Sequence, residues 1–192
     1  MSRCQASSTP RLRLAGMLLC AGLVTALPTP STAAGRAYEY RNAWLTLRLI
    51  PRSPAQIRAF YEARGFPPAA LDELAATCFI TASVRNRSRR VIWHRLDDWR
   101  FRRDGRLVKR YRRDWWRERW QALGIRPGLR ATFRWTLFPE ALDFRPDEGE
   151  GGNLILPRAA APLRIEAVFH TGPNGTGETL RITTEAIPCA ED

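Results

Sequence analysis

Lysine is almost missing from this 192-residue chain: Lys109 stands alone among 31 basic residues, and arginine carries the rest of a formal +12 charge. Histidine is nearly as scarce, with His94 and His170 the only two. Neither belongs to a His-x-x-x-His pair, and no Cys-x-x-Cys spacing exists, so no local metal-ligand set is legible. Methionine occurs only as Met1 and Met17, near the N-terminus, which argues against a thioether copper carrier. Gly-x-Ser-x-Gly, His-Glu-x-x-His, Ser-x-x-Lys and phosphate-loop patterns are all absent. The expectation is therefore a protein with no catalytic residue, no metal and no cofactor, which works by binding.

Long apolar runs are lacking as well. The longest, Leu14 to Leu27, has 14 residues, whereas a helix needs about 20 to cross a hydrocarbon core. Arg3, Arg11 and Arg13 precede it, and two small-residue sites follow, Val24-Thr25-Ala26 and Thr32-Ala33-Ala34. This order reads as a secretory signal peptide and linker over residues 1–34, cleaved near 26 or 34, with a single domain over 35–192. The predicted location is periplasmic or secreted. Cys4 and Cys20 would leave with the leader, so Cys78 and Cys189 remain as one pair in an oxidising compartment and are expected to form a disulfide.

Downstream, periodicity predicts a mostly β domain. Leu45, Leu47 and Leu49 share one face of a strand that Pro51 should end. Ser53, Pro54 and Gln56 carry the start signals of a helix that Gly65 should stop, and a second short helix covers Pro68 to Ala76. From Thr77 the period is two, with Cys78, Ile80, Ala82 and Val84 on one side. Asn86 to Arg89 reads as a turn leading back through Arg90 to Leu96 as a hairpin. Asp104-Gly105 predicts a second hairpin between Trp99 to Arg103 and Arg106 to Tyr111. Asp114 is the candidate cap of a short helix over Trp115 to Leu123. Ala131 to Phe138 alternates, with Phe133, Trp135 and Leu137 expected inward. The Gly-rich stretch holding Asp143, Asp147, Glu148, Glu150 and Asn153 matches no calcium-loop spacing and is expected to be a solvated loop. Leu163, Ile165, Ala167 and Phe169 make another inward row, and Thr179 to Ile187 a last strand. About eight short strands with two or three inserted helices predict a two-layer antiparallel β-sandwich.

The segment Cys78 to Trp93 (CFITASVRNRSRRVIW) resembles a hairpin of exported bacterial Ig-like domains, in which an apolar strand reaches an Asn-x-Ser turn and returns through a second apolar strand. The resemblance spans 16 residues. It implies an Ig-like β-sandwich and no activity.

Charge is unevenly spread. Between Arg85 and Arg134 stand 17 arginines and Lys109 against five carboxylates, and five of the seven tryptophans fall there too. Guanidinium forks bind carboxylate or phosphate bidentately, and indole rings add stacking surface. The candidate surface for an anionic partner is therefore Arg85, Arg87, Arg89, Arg90, Arg100, Arg102, Arg112, Arg113, Arg117, Trp115 and Trp116. The competing reading is a solvated sheet face. Trp116, Trp120 and Leu123 fall on one helical stripe that core packing explains better than membrane insertion. The partner is expected to be an envelope protein, or else an anionic envelope polymer or membrane surface. Nucleic acid is not expected. An unrecognised enzyme is the third alternative.

Overall fold

The computed structural model describes residues 36–192. The expected leader, with Arg3, Arg11, Arg13, Cys4, Cys20 and both cleavage points, lies outside the described residues. Strands β1 (Tyr38–Arg41) and β2 (Leu45–Arg52) form the first hairpin. Its turn is held by Asn42, whose Oδ1 accepts the backbone N–H of Trp44 at 2.8 Å and of Leu45 at 2.9 Å. Pro51 does not end β2 but lies inside it, opposite Ile80. The reason is local. β1 reaches only to Leu49, so on that side the proline's missing N–H faces no partner strand.

Helix α1 (Pro54–Glu62) begins as its sequence signals: Gln56 N–H donates to Ser53 Oγ at 3.3 Å, and Ser53 N–H to Gln56 Oε1 at 3.2 Å. Gly65 follows at φ +80°, a left-handed conformation suited to glycine. Helix α2 (Pro68–Ala75) leads into β3 (Thr77–Asn86). β3 pairs with β2 on one side and with β8 (Gly149–Pro157) on the other, giving the antiparallel order β1-β2-β3-β8.

The expected hairpin after Asn86 does not form. The turn exists, but it carries the chain out of the first sheet into a second. There β4 (Ile92–Arg95) pairs with β7 (Ala141–Phe144) and β9 (Arg164–Thr171), not with β3. Asn86 makes the crossing possible. It is fully buried, donates through Nδ2 to Arg90 O (2.6 Å) and Phe144 O (2.9 Å), and accepts from both N–H and Oγ of Ser88 (2.8 Å each). Strand β5 (Arg100–Arg103) lies along the same edge of β9 as β4, after a single 3-10 turn at Leu96–Asp98. In that gap the Trp99 indole N–H donates to Val168 O at 3.0 Å. The Asp104-Gly105 turn forms as expected, with positive φ at both residues, but its returning strand β6 is only Arg106–Leu107. β10 (Thr179–Thr183) covers the other side of β9.

The two sheets share one apolar core. Leu45, Leu47, Leu49, Ile80, Ala82 and Val84 from the first meet Ile92, Phe101, Ile165, Ala167 and Phe169 from the second. Cys78 and Cys189 are joined by the expected disulfide, with Cα atoms 5.4 Å apart. The bridge ties β3 to the tail beyond β10.

A second core forms on the outer face of the first sheet. Phe79 of β3 and Ile155 of β8 point away from the other sheet, into helices α1 and α2, and into α3 (Arg113–Ala122) and α4 (Pro127–Thr136). The described residues therefore make three layers, helices on sheet on sheet, with ten strands and four helices where two layers, about eight strands and two or three helices were expected.

Three further expectations are corrected. Ala131 to Phe138 is not a strand. Most of it belongs to α4, where Leu129, Phe133 and Leu137 recur every fourth residue toward the core and Trp135 is 80% exposed. Asp114 does not cap α3. The N-cap is Arg112, without a side-chain bond, and Asp114 sits in the first turn beside the favourable end of the helix dipole. The acidic stretch is not one loop, because β7 and the first half of β8 run through it, paired with β4 and β3.

Candidate binding surface

The candidate arginines are divided among separate faces. Arg85 lies on the outer face of the first sheet, in register with Thr46 and Gly149, and Arg87, Arg89 and Arg90 occupy the crossing that follows. Arg90 reaches back to within 5.9 Å of the Trp44 ring. Arg100 and Arg102 belong to the second sheet and lie opposite Glu166 and Arg164 of β9. Their exposed face is turned away from the shared core, so they cannot form one patch with Arg85. Arg112, Arg113, Arg117, Trp115 and Trp116 gather at α3.

Most of the arginines near α3 already hold carboxylates. Arg112 Nη1 lies 2.5 Å from Asp97 Oδ1, and Arg110 also pairs with Asp97 and with Glu140. Burial pushes the Asp97 carboxyl up, but Arg112 and Arg110 outweigh it and hold the group below the usual carboxylate range. Arg119 pairs with Glu73 at 2.5 Å. These contacts staple the segment before α3, and α3 itself, to the rest of the molecule.

The aromatic residues of α3 are a packing device. Trp116 and Trp120 are each 1% exposed, stack with ring centroids 4.8 Å apart, and both meet Phe133 of α4 at 5.0 Å. Trp115 stays at the surface against Tyr111, with centroids 4.3 Å apart.

Between α3 and α4 lies an open cleft of about 540 Å³. Trp116, Trp120, Phe133 and Leu137 form its apolar floor. Arg113, Arg117, Arg130 and Arg134 line it, and Asp114 is its one carboxylate. Asp114 bonds Arg117 at 2.7 Å, and Arg113 donates to the Leu137 and Phe138 carbonyls at 3.4 Å. Arg130 and Arg134, which lie on α4, were not among the candidates. The helical spacing from Arg126 through Arg130 to Arg134 was the available signal, hidden by reading the segment as a strand. Of the candidates, only Arg113, Arg117 and Trp116 line this cleft.

Among the described residues, no group of three or more His, Cys, Asp and Glu could hold a metal ion. In the acidic stretch Glu148 accepts the Arg145 N–H at 2.8 Å, closing a turn, and Asp143 accepts the Asn174 N–H at 3.1 Å, tying β7 to the segment between β9 and β10. No described helix is long and apolar enough to cross a membrane. Comparison with family models, with curated proteins and with solved structures finds no match.

Proposed function

We propose that this chain is a non-enzymatic, exported accessory module of the cell envelope, an Ig-like two-sheet domain that grips an acidic segment of a protein partner in the α3–α4 cleft. The observation that carries the reading is four arginines around a floor of buried aromatic rings, with a single carboxylate among them. An acidic peptide bearing apolar side chains supplies both complements: carboxylates for the guanidinium forks and carbon for the floor. The Cys78–Cys189 bridge supports an oxidising compartment.

The alternative partner is an anionic polymer or a membrane surface. It is favoured by Arg41, Arg48 and Arg85, which stand on the outward phase of the first sheet beyond its helical cover, beside Gly149 and Gly151.

A photo-crosslinking residue at Ala131, exposed on the cleft wall, tests the primary reading against one at Thr183. The expected result is one defined crosslinked protein from position 131 only, abolished by Arg117→Glu with Arg134→Glu. Crosslinks that survive the charge reversal overturn it. Retention on a polyanion that collapses between low and physiological salt, with no protein crosslink, supports the polymer instead. N-terminal sequencing of the exported protein should begin at Leu27 or Gly35.

A further inference from the structure

A second cleft, of about 630 Å³, lies on the opposite side of α4, between it and α1. Its volume falls within the range of small-molecule sites. The floor is the outer face of the first sheet at Phe79, Thr81 and Asn153. Ile57 and Phe60 of α1 form one wall, and Trp135 of α4 the other. Phe60 and Trp135, 40% and 80% exposed, are two of the four large apolar side chains left in water among the described residues.

One charged side chain lines this cleft, Arg52. Its Nε donates to Thr81 Oγ1 at 2.9 Å, and Thr81 donates onward to Asn153 Oδ1 at 3.0 Å. The relay holds the guanidinium by its inner nitrogen. Its terminal nitrogens, Nη1 and Nη2, meet no carboxylate among the described residues. The polar groups beside it are already engaged: the Gln56 carbonyl takes the Ser53 N–H, Asn153 Oδ1 takes the Thr81 hydroxyl, and the Tyr61 hydroxyl donates to Thr136 Oγ1 at 2.7 Å, whose own hydrogen goes to Phe133 O. What the cleft offers is a positive, donor-only fork between two exposed rings.

We propose that this cleft binds a small carboxylate with an apolar body, the carboxylate forked on Arg52 and the body held between Phe60 and Trp135. A carboxylate matches the two free guanidinium nitrogens in geometry and charge. Arg64, 3.4 Å from the Phe60 ring centroid, and Arg134, 5.9 Å from that of Trp135, back the two rings with further positive charge, and no carboxylate lines the cleft. This site is separate from the α3–α4 cleft, and the proposal stands whether or not that one holds an acidic segment.

Fluorescence titration of the intact disulfide-bonded protein with 1-pyrenebutyrate, and with its uncharged analogue 1-pyrenebutanol, tests it. The acid should bind at least ~10-fold more tightly than the alcohol, the worth of about one charge-assisted hydrogen bond. Arg52→Gln should remove that preference by weakening the acid alone. Trp135→Ala should weaken both probes, and Arg117→Gln, in the other cleft, neither. Gln56→Glu preserves the helix-capping pattern while placing a competing carboxylate in the cleft, and should also abolish the preference. It provides a second test if Arg52→Gln does not fold. Equal binding of acid and alcohol, a preference that survives both Arg52→Gln and Gln56→Glu, or loss of acid binding in Arg117→Gln would overturn the proposal.

Discussion

His94 sits in the shared core of the two sheets, fully buried, ringed by Phe138, Phe144, Trp99 and Phe169 at centroid distances of 5.1 to 6.2 Å. Neither ring nitrogen has a hydrogen-bond partner among the described residues. Burial lowers its pKa from 6.5 to about 4. In the unfolded chain the imidazole protonates near pH 6.5, while in the folded protein it stays neutral to about pH 4. Stability tied to His94 is therefore full above 6.5, falls as the pH drops through that window, and levels below 4. Between pH 7.5 and pH 5 the loss is about 2 kcal/mol, from a linkage slope of about 1.4 kcal/mol per unit. His94→Phe removes the proton site and two unmet polar atoms, each worth about 1–3 kcal/mol when left unpaired in a core. Urea denaturation at pH 7.5 and pH 5 is the assay. The variant should be at least as stable as the parent at pH 7.5, and its pH-dependent loss should be about 2 kcal/mol smaller. His94→Leu should show the same flattening whatever its packing cost. A pH dependence identical to the parent's in both variants refutes the reasoning.

Other substitutions probe other parts of the molecule. Cys78→Ala with Cys189→Ala opens a loop spanning a sequence separation of 111 residues. It should cost about 5 kcal/mol in the chain-entropy account, read by urea midpoint, and non-reducing mass spectrometry of the parent should recover the linked peptides. Trp116→Ala should cost about 3–5 kcal/mol through the cavity left against Trp120 and Phe133, with loss of near-ultraviolet dichroism. Gly152→Ala places a methyl 2.5 Å from Phe138 N, a backbone atom that cannot swing away, and should destabilise by about 1–3 kcal/mol. Ser53→Ala removes the α1 cap at about 1 kcal/mol by thermal melt.

What the sequence disclosed was local chemistry. The Ser53 capping pair, the Asp104-Gly105 turn, the inward row of β3 and the pairing of the two downstream cysteines each depend on neighbours a few residues apart or on simple elimination. What it concealed was decided at long range. Phe133, Trp135 and Leu137 fit a two-residue period as well as Leu129, Phe133 and Leu137 fit a helical one, and only packing against Trp116 and Trp120 chooses between them. The Gly- and acid-rich residues 149–153 look like a loop until β3 supplies a partner for them. The turn at Asn86 was readable, but nothing local tells a turn that folds a strand back from one that hands it to another sheet. The second cleft was invisible for the same reason. Arg52, Phe60, Thr81, Trp135 and Asn153 share no motif and meet only because α1 and α4 lie across one sheet face.

The interleaving of the two sheets has a consequence for how this molecule comes into being. β8 closes the first sheet only after β4 to β7, four of the six strands of the second, have been made, and β9, at the centre of the second, arrives later still. A chain stopped before β8 owns neither sheet whole, one stopped between β8 and β9 owns only the first, and one stopped before Cys189 has no clasp. The second sheet, and with it the core the two sheets share, is therefore complete only once β9 and β10 are present.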